Sequence, residues 1–387
     1  MTSAEVLIAC HDINAALEFY CDRLGFKVDS IFPAESPTVA TIRGYGLRLR
    51  LDPSASVMAG STALPISPVT VRIRTSDLDA FGGAATLIAP DGTIVEIIDA
   101  DPPLVLPPVK QSFLLERASD EASWSVGRAG MRYRDLIPDR QGGRFVGSNI
   151  QIPTAGPVPD YVHFHKIQFQ MIYCYRGWVR LVYEDQGDPF IMKAGDCVLQ
   201  PPRIRHRVLE SSAGMEVIEI GCPALHETVA DPDTALPTGV VNPDRDFGGQ
   251  RYAFHRADTA VWSPTHSGFT ARRFGFHDAT NGLAEAAVLK VLAAPGRLVA
   301  GEVSGESVSG ELVADDSVSG ESTNHSHDGD LLFTFVLEGK TTLRRNGEVD
   351  EFLLPGDCFL MPAHQTFSLV HRSSDLELLE VAIPAPE

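Results

Sequence analysis

HFHKIQFQMIYCYRG, residues 163–177, followed by AGDCVLQPPRIRH, residues 194–206, is the stretch that decides how this chain folds. His163 and His165 stand two apart. On a strand successive side chains alternate between faces, so the two imidazoles leave the same face and can converge on one ion. Gln170 follows after four residues, Gly177 after six more, and His206, the last residue of the second stretch, opens another strand. Short β-branched and aromatic runs, broken by Gly, Pro and Asp, argue for antiparallel strands joined by tight turns. If Gln170 points into the interior of such a sheet, Ile172 and Cys174 do so too, giving a pocket that is partly apolar.

Working outward, the stretch has a second copy. RDLIPDRQGGRFVGSNIQI (134–152) is echoed by RRFGFHDATNGLAEAAVLKVL (272–292), and MEVIEIGCPA (215–224) by LELLEVAIPA (376–385). HFH, RG, AGDC and HR meet HSH, EG, PGDC and Phe367-Ser368 at a near-constant separation of 161 or 162 positions. Two related units follow one another, each a small all-β barrel. The spacing resembles the cupin superfamily, whose first motif reads H-x-H, three or four residues, Glu or Gln, six residues, Gly, and whose second reads P-G-D, Pro, His. That resemblance implies that His163, His165, Gln170 and His206 bind one divalent metal, with Ala194 where Pro is usual and Gln where Glu is commoner. Iron, zinc, nickel or manganese suit such a set. A neutral Gln leaves the full charge on the ion, which favours an anionic substrate or enolate.

In the second unit His325 and His327 keep the H-x-H spacing, but Leu332 and Phe367 stand where Gln170 and His206 stand in the first. Asp328, Asp330 or His364 are the possible substitutes; the simpler expectation is a degenerate barrel whose centre Leu332 and Phe367 fill. Around the first barrel, Arg180 and Gln151 are the candidate substrate contacts, and Arg176, Arg203, Arg205 and Arg207 are further cations able to grip a carboxylate. Parity leaves open whether Gln151 points inward with Asn149 outward, or the reverse.

Residues 4–100 read as strand, helix and strands, then a second strand-led unit closed by LIAPDGTIVEII, where Asp91-Gly92 is a hairpin signal. FYCDRLGF (19–26) with PDGTIVEI resembles the glyoxalase and bleomycin-resistance superfamily, also called vicinal oxygen chelate proteins, over the first quarter of the chain. Register places that family's metal positions at Glu5, Thr70, Glu96 and near Arg48, of which only the two Glu suit a metal, so a binding or assembly role is expected. The fold class is thus mainly β: two cupin-type antiparallel β-barrels, a bicupin, preceded by an α+β βαβββ domain. Boundaries fall at residues 1–101, a Pro-rich linker 102–130, a first barrel 131–226, a connection 227–270, and a second barrel 271–387 with an acidic Ser/Gly-rich insertion at 301–322.

With 32 Lys plus Arg against 51 Asp plus Glu, the charge of -19 disfavours nucleic acid or an anionic membrane. The absence of an export signal or an apolar span points to a cytoplasmic protein, and six scattered Cys to reduced thiols. The expected function is a metal-dependent enzyme of small-molecule metabolism, using the ion as a Lewis acid for isomerase, lyase or ring-opening chemistry on a carbonyl or carboxylate substrate. The alternatives are an Fe(II) dioxygenase and a non-catalytic ligand sensor. No general base is identifiable, and a monomer or homodimer is expected.

Overall fold

The strand Phe169–Arg176 buries both of its faces, which is why it reads as an almost unbroken apolar run. Phe169, Met171 and Tyr173 enter one core together with Phe333, Phe335, Leu379 and Val381 from the second barrel. On the opposite face Ile172 and Cys174 join the interior of the first barrel. The repeat therefore packs back to back through equivalent strands, and each barrel keeps its other face for its own interior. The computed structural model that shows this describes residues 4–33, 37–53, 69–118, 124–265, 268–292 and 324–384. The acidic 301–322 stretch lies outside them.

Residues 104–387 form one compact unit. In the first barrel a seven-stranded sheet runs Ala253–His255, Cys197–Leu199, Phe169–Arg176, Met215–Cys222, Val146–Ile152, Arg132–Asp135, Trp124–Val126. The facing sheet runs Phe190–Lys193, Trp178–Tyr183, His206–Ser211, His163–His165, Thr228–Ala230. The second barrel repeats the central order with Phe269–Arg273, Glu285–Val291, Glu377–Ile383, Leu331–Glu338, Cys358–Leu360, facing Glu351–Leu353, Thr341–Arg345, Phe367–Val370.

Two segments expected as connections are built into these sheets. Leu114–Glu116, inside the 102–130 stretch read as a linker, pairs antiparallel with Cys358–Leu360 of the second barrel. Ala253–His255, inside 227–270, pairs with Cys197–Leu199 of the first. The same extended backbone that Pro imposes on a linker also suits an edge strand, and the open edge of each sheet needs its N–H and C=O groups met. The exchange is reciprocal in its details. Asp196 of the first Gly-Asp turn accepts from Ala257 N at 2.8 Å, and Asp357 of the second accepts from Ala118 N at 2.8 Å. Arg272 donates to the Gly195 carbonyl at 2.8 Å, while its repeat counterpart Arg134 donates to the Gly356 carbonyl at 2.7 Å. Each barrel's turn is held by an arginine of the other.

The N-terminal unit, residues 1–103, has Val6–Ile8, a helix Ile13–Leu17 continued as a wider turn through Glu18–Arg23, then Lys27–Phe32, Val39–Gly44 and Leu47–Leu51. Asp12 caps the helix by accepting from Ala15 N at 3.0 Å. Strand order Val6–Ile8, Leu47–Leu51, Val39–Gly44, Lys27–Phe32 completes the βαβββ module. A three-stranded sheet follows, in which Ala85–Ile88 and Ile94–Asp99 pair antiparallel across the Asp91-Gly92 turn, with Gly92 at φ +89°. Both sheets share a core with the buried Tyr20, Leu24 and Phe26. Among the described residues no helix is long and apolar enough to cross a membrane. Five of the six Cys are buried, and all six are free thiols.

Candidate metal centre

His163 sits on the short strand His163–His165 directly opposite His206, the first residue of His206–Ser211. That register brings three imidazoles to one point. One nitrogen from each of His163, His165 and His206 lies within 4.8 Å of the others, and among the described residues no other such group of three is formed. The ring centroids of His163 and His206 are 4.3 Å apart. His163 Nδ1 is 2.8 Å from the Tyr161 carbonyl and His206 Nδ1 is 3.0 Å from the Ile204 carbonyl. A carbonyl only accepts, so in both rings Nδ1 carries the proton and Nε2 presents a lone pair to the centre. His163 Nε2 is buried and has no protein partner. His165 is oriented by Thr228, whose hydroxyl is 2.9 Å from its Nδ1.

Burial, then the neighbouring His163 and His226, pushes His165 down to about 3. Burial and the other two imidazoles hold His206 well below its ordinary value, and burial with the Arg128 guanidinium lowers His163. All three are neutral donors at neutral pH. Arg128 ion-pairs with the buried Asp160 and lies 3.3 Å from His163 Nδ1.

Gln170 faces the same cavity. Its Nε2 donates to Glu219 Oε1 at 2.7 Å, and its Oε1 accepts from Gln200 Nε2 at 3.0 Å. Tyr183 OH in turn donates to Gln200 Oε1 at 2.6 Å. This relay fixes the amide orientation, because Glu219 as a carboxylate can only accept. The cavity encloses about 390 Å³, with the imidazoles, Gln170 and Glu219 among its polar lining and Ile150, Ile172, Leu181 and Val217 among its apolar walls. Cys174, expected beside Ile172, packs in the barrel interior without reaching the cavity.

The two substrate contacts expected from sequence are placed elsewhere. Gln151 and Asn149 share a face, since they are two apart on one strand, and both turn away from the cavity to Glu216, at 3.2 and 3.1 Å. The alternating inward positions are Ser148, Ile150 and Ile152. Arg180 lies between the inward Val179 and Leu181 and pairs on the outside with Glu210 at 3.3 Å. Arg176 meets Glu216, Arg205 meets Glu184 and Asp231, and neither Arg203 nor Arg207 lines the cavity. The cation and carboxylate that do face it, Arg128 and Glu219, escaped the sequence reading. Glu219 had a signal: in MEVIE it shares strand parity with the inward Met215 and Val217.

In the second barrel Leu332 and Phe367 join the apolar core. His327 turns its Nε2 to the Met361 carbonyl at 2.6 Å, and Asp330 pairs with Arg144 at 3.6 Å. In the N-terminal unit both carboxylates considered for a metal meet guanidinium groups, Glu5 with Arg48 at 3.7 Å and Glu96 with Arg72 at 2.6 Å.

Residues 314–382 match the cupin domain family, and residues 2–87 match the glyoxalase, bleomycin resistance protein and dioxygenase superfamily. The second barrel thus carries a cupin-domain match and the N-terminal unit a glyoxalase-superfamily match. The cupin match falls on the barrel in which Leu332 and Phe367 occupy the positions of Gln170 and His206. No curated protein matches the chain significantly. Among solved structures, the chain is similar to the protein Ylba from E. coli (11% identity, 73% of this chain, 95% of that chain, TM-score 0.47). It is also similar to the formate complex of Lactobacillus farciminis oxalate decarboxylase (14%, 73%, 90%, TM-score 0.47). Salicylate 1,2-dioxygenase from Pseudoaminobacter salicylatoxidans with gentisate adducts is a third such structure (18%, 72%, 83%, TM-score 0.47).

Proposed function

We propose that the first barrel is the active site of a cytoplasmic metal-dependent enzyme of small-molecule metabolism, with His163, His165, His206 and Gln170 holding one divalent iron, zinc, nickel or manganese ion. The observation that carries this is the buried His163 Nε2 with no partner. One nitrogen from each of the three imidazoles lies within 4.8 Å of the others, so a cation satisfies them together where no protein donor does.

When bound, the ion would supply Lewis acidity to a carbonyl or carboxylate oxygen in isomerase, lyase or ring-opening chemistry. The chain's own residues set the rest. Gln170 adds no negative charge, and Arg128 offers a cation to an anionic substrate head. Glu219 is the carboxylate placed to take and return a proton, and burial raises it above the usual carboxylate range despite the Gln170 hydrogen bond. The Tyr183–Gln200–Gln170 relay keeps that carboxylate in one orientation. Ile150, Leu181 and Val217 receive an apolar part of the substrate and exclude water.

Elemental analysis of the untagged protein tests the reading, beside a His163→Ala/His206→Ala variant shown by circular dichroism to be folded. Near-stoichiometric metal in the first and none in the second is expected. No metal in the parent protein, even after reconstitution, overturns the proposal. Screening carbonyl and carboxylate compounds with and without air then separates the chemistries: turnover that survives without oxygen supports Lewis-acid catalysis, and turnover that needs oxygen replaces it with a dioxygenase.

A further inference from the structure

The second barrel, without the three-imidazole cluster, still encloses a cavity of about 210 Å³. That is room for about seven waters at the ~30 Å³ each occupies in the liquid. Thr334 and Glu380 are direct cross-strand partners, so their side chains leave the same face, and both line this cavity. Thr334 is 2% exposed and its Oγ1 has no hydrogen-bond partner. No described residue hydrogen-bonds the Glu380 carboxylate. A buried hydroxyl left unmatched beside a half-buried carboxylate costs free energy unless a ligand completes it.

Glu380 occupies the repeat position of Glu219, and Thr334 that of Ile172, so the inward carboxylate persists here without the histidine cluster. The charged and titratable side chains around the cavity are Arg273, Glu285 and His325. Arg273 is turned to Glu285 at 3.9 Å, which leaves Glu380 in excess. Phe269, Leu289 and Phe367 supply apolar and aromatic wall. A carboxylate and a hydroxyl on one side and aromatic faces on the other suit an ammonium head on a short alkyl chain.

We propose that the second barrel binds a small organic cation, whose amino head donates to Glu380 and Thr334 and whose alkyl part lies against Phe269, Leu289 and Phe367. The site is separate from the metal centre and would exist whether or not that centre is catalytic. Burial pushes Glu380 up to about 7, with Arg273 opposing. The cation needs the ionised form, so its affinity should rise as pH is raised through that value.

Calorimetric titration of the full, metal-loaded chain with n-butylammonium, 1-butanol and butyrate is the test. The expected result is that the cation binds at least about tenfold tighter than either isostere, and more tightly at pH 8 than at pH 6. Glu380→Gln and, separately, Thr334→Val should each weaken it, the first by about tenfold or more, while His163→Ala leaves it intact. Equal binding of the three compounds, binding indifferent to both second-barrel substitutions, or loss in His163→Ala overturns the proposal. Thr334→Val keeps side-chain volume and adds no charge, so it decides the matter even where Glu380→Gln disturbs the barrel.

Discussion

In the first barrel Gln170 and His206 face a cavity shared with three more histidines; in the second the same positions are Leu332 and Phe367, and both belong to an apolar core. Much else is retained. Gly177 and Gly339 turn with φ +71° and +73°, and each adjoins a backbone N–H that donates to a serine, Trp178 to Ser212 and Lys340 to Ser373. Each Gly-Asp turn closes in the same way, and each last strand carries an inward Glu. The difference teaches that the scaffold is specified by turn glycines, turn aspartates and apolar parity, whereas the polar cluster hangs on a few interior positions.

Converting the first barrel into the second at those positions should have the largest effect. Gln170→Leu/His206→Phe is expected to take metal content from about one equivalent to none by elemental analysis, while the far-ultraviolet dichroism of the barrel persists. Gln170→Leu leaves Glu219 and Gln200 without their Gln170 hydrogen bonds, a cost expected to lower the melting temperature without unpairing the strands. Retained metal would show that His163 and His165 suffice and would break the comparison.

Glu219 sharpens it further. Glu219→Gln preserves size and should cut turnover by roughly 10²- to 10⁴-fold, the usual worth of a proton-transferring group, with metal content unchanged. A variant that loses metal as well would make this carboxylate part of the coordination set instead.

The smallest effect concerns stability. Glu380 has a folded pKa raised to about 7 from an ordinary 4.5, so its contribution to stability is fully present below 4.5 and is lost as pH rises through 7. Thermal unfolding of the parent against Glu380→Gln should therefore diverge across that window, by on the order of 2 kcal/mol in favour of the variant at the alkaline end. Parallel curves would place the carboxyl in a more solvated setting than its cavity suggests.

The sequence carried the barrels and the histidine cluster plainly, because H-x-H on a strand fixes a shared face and the long repeat fixes the register of the partner strand. It misled where one signal serves two structures. Pro-rich 102–110 and the polar 227–270 stretch show no periodicity, and an exchanged edge strand of three residues is too short to display one. Arg180 and Gln151 looked available because arginine and glutamine often contact ligands, yet their immediate neighbours Val179, Leu181, Ile150 and Ile152 already claimed the inward face. Arg128 reaches the cavity from a short 3₁₀ turn, Arg128–Gly130, whose direction no local pattern encodes.

The crossed arginines give this arrangement a mutual dependence as well as a shape. Arg134 belongs to the first barrel but secures the turn of the second, and Arg272 does the reverse. Losing either residue removes a hydrogen bond from the neighbour's turn, so each barrel depends on the other for part of its own closure. The second barrel's turn is thereby braced by the first whatever side chains fill its own interior.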